Sequence, residues 1–246
     1  MSREKVRLGL RLIVSLAMVL FIFSGLAHAQ QRYSLKKYFP LTEGATWTYM
    51  TVKTPDPNDI EVYSMAKISD QNQNKGTIFR RFLVDSGEPP YSYEDMNWTK
   101  NGLEVYKTGE KDLLGVGGGH TLYDPPLMRF PASMTIGQAF EQTGIASEYV
   151  NGNENPIGSY NFTWKITLAG IENQNLETYI GTFSGCLRFE AEFKTQDGNG
   201  ATIEEEKWSF WLARGFGVVR SAEVPGPEHT EILSFTKGTK TYYPIP

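Results

Sequence analysis

The 246-residue sequence holds a single cysteine, Cys186, and only three histidines. One cysteine cannot form an internal disulfide, so the stability of the fold has to come from packing. His120 and His229 are the two histidines beyond the N-terminal segment, and neither has a second His or Cys at a metal-ligand spacing. The sequence therefore predicts no metal site, and we expect structural or solvent-exposed roles for both histidines.

Catalytic motifs are missing as well. The sequence has no G-x-S-x-G nucleophile elbow, and Cys186 has no recognisable Cys–His pattern around it, so we expect a small structural thiol. The glycine-rich stretch Gly109–His120 ends in His120 where a dinucleotide-binding loop needs its last glycine. Alternation along a strand would separate Glu205 from Glu204 and Glu206, which is typical of a solvated strand end. We predict no catalytic residue, no cofactor and no enzymatic activity.

Runs of basic residues are absent beyond the N-terminal segment. The chain has 24 Lys and Arg against 28 Asp and Glu, a net charge of −4 at pH 7. Nucleic-acid binding needs a basic patch that neutralises phosphates. The charge pattern therefore excludes nucleic acid as an expected partner.

The N-terminal residues 1–29 have the three parts of a secretory signal peptide: a basic start, the apolar run Leu12–Phe23, and Ala27-His28-Ala29 before the cleavage point. The apolar run is short for a membrane span, which needs about 20 residues. Removing this segment, which has a net charge of +3, changes the net charge from −4 to −7. A lipoprotein needs a cysteine directly at the cut, where this sequence has Gln30, so we expect no lipid anchor. We predict an exported, non-membrane-spanning protein, periplasmic or alternatively extracellular.

Helical periodicity is nearly absent, and strand periodicity is clear. Phe162–Leu168 and Leu187–Phe193 alternate strictly between apolar and polar residues, the pattern of a sheet with one buried face. Thr135–Val150 is the only modest helix candidate after the signal peptide. The sequence predicts a mainly β fold: a strongly curved antiparallel sheet, an open barrel or a sandwich.

The predicted organisation is a polar leader over residues 30–37, a first β half over 38–112, a Gly/Pro-rich connector over 113–129 and a second β half over 130–246. One continuous domain over 38–246 is the alternative. The segments Trp98–Lys107 and Trp211–Arg220 share the pattern W-x-x-x-G-[LF]-x-V, and they suggest an internal duplication. Common strand and turn chemistry is the competing explanation.

The five tryptophans are the candidate binding residues. If the sheet curves around an apolar hollow, some of them would line a pocket for a lipid or another hydrophobic ligand. Filling of a solid core is the alternative. The candidates are Trp47, Trp98, Trp164, Trp208 and Trp211.

Three sequence blocks resemble a group of uncharacterised exported bacterial β-proteins. They are the opening Y-F-P-L-x-x-G-x-x-W-x-Y at Tyr38–Tyr49, the middle G-T-F-x-x-C at Gly181–Cys186, and W-x-A-x-G-x-G-x-V at Trp211–Val219. In broad plan such proteins are similar to periplasmic lipoprotein carriers of the LolA type. The resemblance implies a bent antiparallel sheet and brings no activity and no catalytic residues.

These observations favour an exported β-protein of the bacterial envelope that binds an apolar ligand or another envelope component without catalysis. The partner would be a lipid, a lipid-modified protein or another envelope protein. A structural or interaction module of an envelope assembly is the first alternative. A secreted hydrolase is the second, and it would need two carboxylates facing each other in a cleft.

Overall fold

The alternation of apolar and polar residues folds the chain into long antiparallel strands. The computed structural model describes residues 31–51, 60–68, 77–84, 92–110, 118–150, 152–172, 174–225 and 229–242, so the predicted signal peptide lies outside the described residues. The mainly β prediction is confirmed. The elements are β1 (Arg32–Ser34), a 3-10 helix (Leu35–Lys37), β2 (Thr46–Thr51), β3 (Ile60–Ile68), β4 (Ile78–Val84), β5 (Ser92–Trp98), β6 (Gly102–Glu110), β7 (Gly119–Pro131), β8 (Ser133–Thr135), β9 (Ala139–Val150), β10 (Gly158–Glu172), β11 (Leu176–Thr178), β12 (Gly181–Phe183), β13 (Cys186–Gln196), β14 (Thr202–Ala213), β15 (Gly217–Glu223), β16 (His229–Lys237) and β17 (Lys240–Tyr242).

Twelve of these strands form a closed antiparallel barrel. Around the wall the order is β15-β14-β13-β10-β9-β7-β6-β5-β4-β3-β2-β16, and β16 pairs again with β15 to complete the circle. The closing contact joins three residue pairs, Arg220 to Glu231, Ser221 to Thr230 and Ala222 to His229. β17 pairs with the other end of β16. The curved antiparallel sheet expected from the sequence is thus closed completely.

The segment Arg32–Ala45 crosses one end of the barrel, which we call the closed end. Backbone hydrogen bonds tie Leu35 to the residue after β7, Tyr38 to the start of β15 and Ala45 to β3, three strands that lie far apart around the wall. Residues 30–37 are predicted as a polar leader, but from Arg32 onward they belong to the fold. The reason is that Tyr33 and Leu35 insert buried apolar side chains between polar neighbours.

β7 and β9 are the two wall strands that sequence periodicity does not identify. The predicted connector is wrong over residues 119–129, which belong to β7. The helix candidate Thr135–Val150 is wrong because it contains all of β9 and the last residue of β8. Pro125 and Pro126 interrupt the alternation of β7. They follow Asp124, the last residue of β7 that pairs with β9, so their missing N–H groups are not needed for that pairing.

The Gln142 side chain bridges β7 and β9 beyond the point where their backbone pairing ends. Its Oε1 accepts a hydrogen bond from the Met128 N–H at 2.7 Å, and its Nε2 donates to the Pro126 carbonyl at 2.9 Å. The amide thus provides partners for two backbone groups of β7 where its backbone pairing with β9 has ended.

The inner faces of β10 and β13 form a tightly packed part of the core. The alternation predicted for both strands is confirmed: Phe162, Ile166 and Phe189 have almost no exposed surface, while their sequence neighbours are more exposed. Gly144 of β9 lies beneath the Phe162 ring, where an added Cβ would approach a ring carbon to 2.6 Å. Gly144, which weakens the helix prediction for this segment, therefore leaves room for the Phe162 ring of the neighbouring strand.

Candidate functional site

The interior of the barrel contains a cavity of about 490 Å³, which we call the central cavity. Residues from eleven of the twelve wall strands line it, together with Phe39 from the segment at the closed end. A second space of about 490 Å³ lies at the opposite end of the barrel, where β6 ends and β7 begins. The two spaces adjoin at four shared lining residues, Tyr63, Arg81, Glu94 and Thr108. Both have the volume of a small-molecule site, about 300–1,000 Å³.

One side of the central cavity is aromatic. Trp164, Phe193 and Trp208 stand on the adjacent strands β10, β13 and β14 and line the cavity. The Trp164 ring centroid lies 6.5 Å from that of Phe193 and 6.4 Å from that of Trp208. Phe130 and Phe210, with centroids 5.6 Å apart, extend this surface towards the closed end. We call these five rings the aromatic wall; they present a rigid apolar surface to a ligand.

On β4, β5 and β7 lies a half-buried group of charges that we call the Arg–Glu–Arg cluster. Glu94 Oε2 accepts from Arg81 Nη2 at 2.5 Å, and Glu94 Oε1 accepts from Arg129 Nη2. The three side chains are 18, 17 and 28% exposed for Arg81, Glu94 and Arg129. Two guanidinium groups against one carboxylate leave the cluster with one excess positive charge.

The charge of Glu94 follows from its two partners. Burial of the carboxyl favours its neutral form, but the positive charges and hydrogen bonds of Arg129 and Arg81 outweigh burial and lower the pKa to about 2. Glu94 is therefore ionised at neutral pH, and it forms one ion pair with Arg81 and another with Arg129.

Two tyrosines extend the polar side of the cavity. Arg81 Cζ lies 4.8 Å from the centroid of the Tyr63 ring, and Tyr63 Oη donates to Glu61 Oε2 at 3.1 Å. Tyr49 Oη donates to the Val218 carbonyl at 2.9 Å. Burial raises the pKa of both phenols, so each keeps its proton for hydrogen bonding.

Three buried nitrogen atoms around the central cavity have no acceptor among the described residues. They are Arg81 Nε, Arg129 Nε and Trp164 Nε1. Trp164 is only 6% exposed. A buried N–H group without an acceptor destabilises a fold by about 1–3 kcal/mol. These donors are therefore available to acceptor atoms of a ligand.

Glu206 adds a second carboxyl group with an unusual environment. It lines the central cavity next to Trp208 in β14. Burial, together with the charge of Glu204 and a hydrogen bond to it, raises the pKa of Glu206 above its ordinary value. The sequence predicts a solvated strand end here, and Glu204 is exposed, whereas Glu206 is half-buried.

The five candidate tryptophans lie in different environments. Trp164 and Trp208 line the central cavity. Trp47 is buried, and its Nε1 donates to the Phe216 carbonyl at 2.6 Å. Trp98 Nε1 donates to the Phe39 carbonyl at 3.0 Å. Trp211 follows the inward-facing Phe210 and so points to the outer face, where Arg220 Cζ lies 6.0 Å from its ring.

Sequence reasoning missed the Arg–Glu–Arg cluster. A usable signal was present in the dipeptides Arg80-Arg81 and Glu94-Asp95, which lie on strands that the sequence identifies. Neighbouring residues of a strand point to opposite faces, so one charge of each dipeptide has to face inward. Arg80 pairs with Asp95 and Arg81 with Glu94. Arg129 had no such signal, because β7 was interpreted as a connector.

Other groups with reactive side chains do not join this site. Cys186 is fully buried, and burial and the charge of Glu172 raise its pKa to about 11. No group of three or more His, Cys, Asp and Glu residues within the described ranges has a metal-binding arrangement. Over the same ranges, no helix has the length and apolar character to cross a membrane.

Comparison with known proteins gives two solved structures. No protein-family model and no curated protein matches the sequence. A protein of Bacteroides fragilis, named as exported and of YmcC-like fold, is 15% identical, with 81% of this chain and 99% of that chain covered and a TM-score of 0.45. A protein of Parabacteroides distasonis, named as a lipoprotein, is 14% identical, with 81% and 98% covered and a TM-score of 0.41. A likeness at this level supports no further conclusion, and the similarity to LolA-type carriers stays a prediction.

Proposed function

We propose that this chain is an exported, non-enzymatic binding protein of the bacterial envelope that holds an apolar or amphipathic ligand in the central cavity. The observation that carries the proposal is a cavity of about 490 Å³ inside a closed barrel, with aromatic rings on one side. The signal-peptide pattern of residues 1–29 supports export. The proposed occupant is a lipid or the lipid part of a modified protein.

Binding is tested with the purified mature protein and a neutral apolar fluorescent probe. We expect saturable binding that an added long-chain lipid displaces, and we expect lipid in an organic extract analysed by mass spectrometry. Trp164 and Trp208 lie at the cavity, so a brominated lipid should quench tryptophan fluorescence. Absence of probe binding and of any extracted lipid contradicts the proposal.

A pair of serine variants tests the location of the ligand. Ser221 lines the central cavity, whereas Ser209 precedes the inward-facing Phe210 and points to the outer face of the wall. Ser221→Phe fills part of the cavity, and we expect it to weaken probe binding at least tenfold. Ser209→Phe is the matched control and should leave binding unchanged. Equal effects of both variants would place the ligand elsewhere.

An interaction module of an envelope assembly is the second candidate. It is favoured by exposed apolar side chains near the end of the barrel opposite the closed end, where Ile157, Ile203 and Val224 are 62, 61 and 46% exposed. Recovery of one stoichiometric protein partner with a lipid-free barrel would favour this candidate. Replacement of the three side chains by serine should then abolish recovery while leaving the barrel folded.

A further inference from the structure

The Arg–Glu–Arg cluster has more donors than it uses. Arg81 and Arg129 each bind a different oxygen of Glu94 through Nη2, and the Nε of each has no acceptor among the described residues. Both arginines line the central cavity. Guanidinium groups match the oxygen spacing of carboxylates and phosphates, which they bind with pairs of parallel hydrogen bonds.

The excess positive charge of the cluster indicates that a ligand group bound beside it would be negatively charged. Glu94 neutralises only one of its two arginines. Glu61 also lines the cavity, but it accepts a hydrogen bond from Tyr63, and no ion pair between the described residues joins it to either arginine. Glu206, the remaining lining carboxylate, lies across the barrel in the strand order, on β14. An anion beside the arginines would balance the excess positive charge.

We propose that Arg81 and Arg129 bind the oxyanion head, a carboxylate or a phosphate, of an amphipathic ligand whose apolar chain lies against the aromatic wall. This inference rests on the proposed function and specifies the ligand class of the same cavity. The unpartnered Trp164 Nε1, on the aromatic wall, offers one further hydrogen bond to an acceptor on the ligand.

Ligands of one chain length test the head group on the unaltered protein. We would measure, by calorimetry, the binding of dodecanoic acid, dodecyl phosphate, dodecanol and dodecylamine to the delipidated mature protein. We expect the acid or the phosphate to bind at least about tenfold more tightly than the alcohol, because hydrogen bonds to charged groups are the stronger ones. The stronger of the two identifies the head group.

The outcomes separate the two proposals. Equal binding of all four ligands, or tightest binding of the amine, overturns the oxyanion inference and leaves apolar binding in place. Binding of none of the four, nor of the neutral probe, overturns the proposed function itself.

Neighbouring arginines give a matched pair of variants. We expect Arg81→Gln to weaken binding of the preferred anion about tenfold or more and to leave dodecanol binding unchanged. Arg80→Gln is the control: Arg80 precedes Arg81 in the same strand but binds Asp95 on the opposite face, at 2.5 and 2.7 Å. Equal losses in both variants contradict the inference.

Glu94→Gln has the opposite expected sign and covers the case in which Arg81→Gln does not fold. It removes the carboxylate that competes for the arginines, so the preferred anion should bind more tightly, by severalfold, with no change for dodecanol. Unchanged or weaker anion binding in a folded Glu94→Gln protein contradicts the role assigned to the arginines.

Discussion

Glu94 forms ion pairs with both Arg81 and Arg129, so its protonation affects the stability of the fold as well as ligand binding. Its pKa in the folded protein is about 2, against an ordinary value of 4.5. A carboxyl whose pKa is lowered by folding stabilises the folded state above its unfolded pKa. For Glu94 this contribution is complete above about pH 5 and is lost as the pH falls towards 2.

We predict that the free energy of unfolding decreases less between pH 7 and pH 3 in Glu94→Gln than in the unaltered protein. The difference should be on the order of 2 kcal/mol, because a shift of one pKa unit corresponds to about 1.4 kcal/mol. Urea denaturation at the two pH values measures it. Glu190→Gln, at a carboxylate that is 61% exposed, is the control and should keep nearly the full pH dependence. Parallel curves for Glu94→Gln and the unaltered protein would contradict the assigned coupling.

At the scale of elements, the strands differ in how clearly the sequence marks them. β10 and β13 have one buried and one solvated face, so their alternation predicts them. β7 carries Pro125 and Pro126 in mid-strand and β9 carries Gly144, and these residues have tertiary surroundings that the sequence alone does not show. The side chain of Gln142 compensates for the prolines, and the Phe162 ring occupies the space above Gly144. Such compensation appears only when two strands are seen together.

Gln142 gives an element-scale prediction. Gln142→Ala removes both hydrogen bonds to β7, and we expect it to reduce the free energy of unfolding by about 1–3 kcal/mol. The Met128 amide should also exchange its hydrogen faster, because it loses its acceptor. Thr143→Ala, the next residue on the opposite face, serves as the control for the substitution. Unchanged exchange at Met128 in Gln142→Ala would contradict the bridging role.

The segment Arg32–Ala45 at the closed end gives a second prediction at the scale of elements. Leu35 has no exposed surface in a stretch whose neighbours Lys36 and Lys37 are polar. We expect Leu35→Ala to destabilise the protein by about 2–5 kcal/mol, the usual range for a buried leucine. Lys36→Ala should have little effect. Equal urea midpoints for the two variants would show that the segment does not contribute to the fold as an integral element.

At the scale of the whole molecule, the barrel depends on a short closing contact between β15 and β16. Arg220 spans it, since it pairs with Glu231 of β16 and donates to the Glu177 carbonyl at 2.8 Å. Glu231 is only 7% exposed. Removing Arg220 leaves Glu231 with His229 Nε2, 3.1 Å from its Oε1, as its remaining side-chain partner among the described residues. Removing one partner of a buried ion pair destabilises a fold by about 3–5 kcal/mol.

We therefore predict that Arg220→Ala lowers the free energy of unfolding by about 3 kcal/mol. Hydrogen exchange should accelerate first at the backbone amides of β16 that face β15. Arg188→Ala is the matched control, because Arg188 pairs with Glu190 at 3.9 Å in an exposed ion pair worth less than about 1 kcal/mol. Uniform acceleration around the barrel in Arg220→Ala would contradict a local role at the closing contact.

Sequence periodicity predicted the curved antiparallel sheet, but not the composition of its interior. Alternation placed Trp164 on an inward-facing position, and its side chain lines the cavity. It could not distinguish a filled core from a hollow one, because that depends on strand number and closure. It also could not bring Arg129 to Glu94, which lies 35 residues earlier in the chain.

The complete circle of paired strands also limits how other proteins can attach. Each wall strand among the described residues has a hydrogen-bonded neighbour on both sides. A strand from another chain therefore finds no wall strand whose edge is unpaired along its whole length, the kind of edge by which many sheets aggregate or recruit peptides. Any partner of the wall has to recognise side chains on its surface, so substitutions there can abolish an assembly without disturbing the backbone.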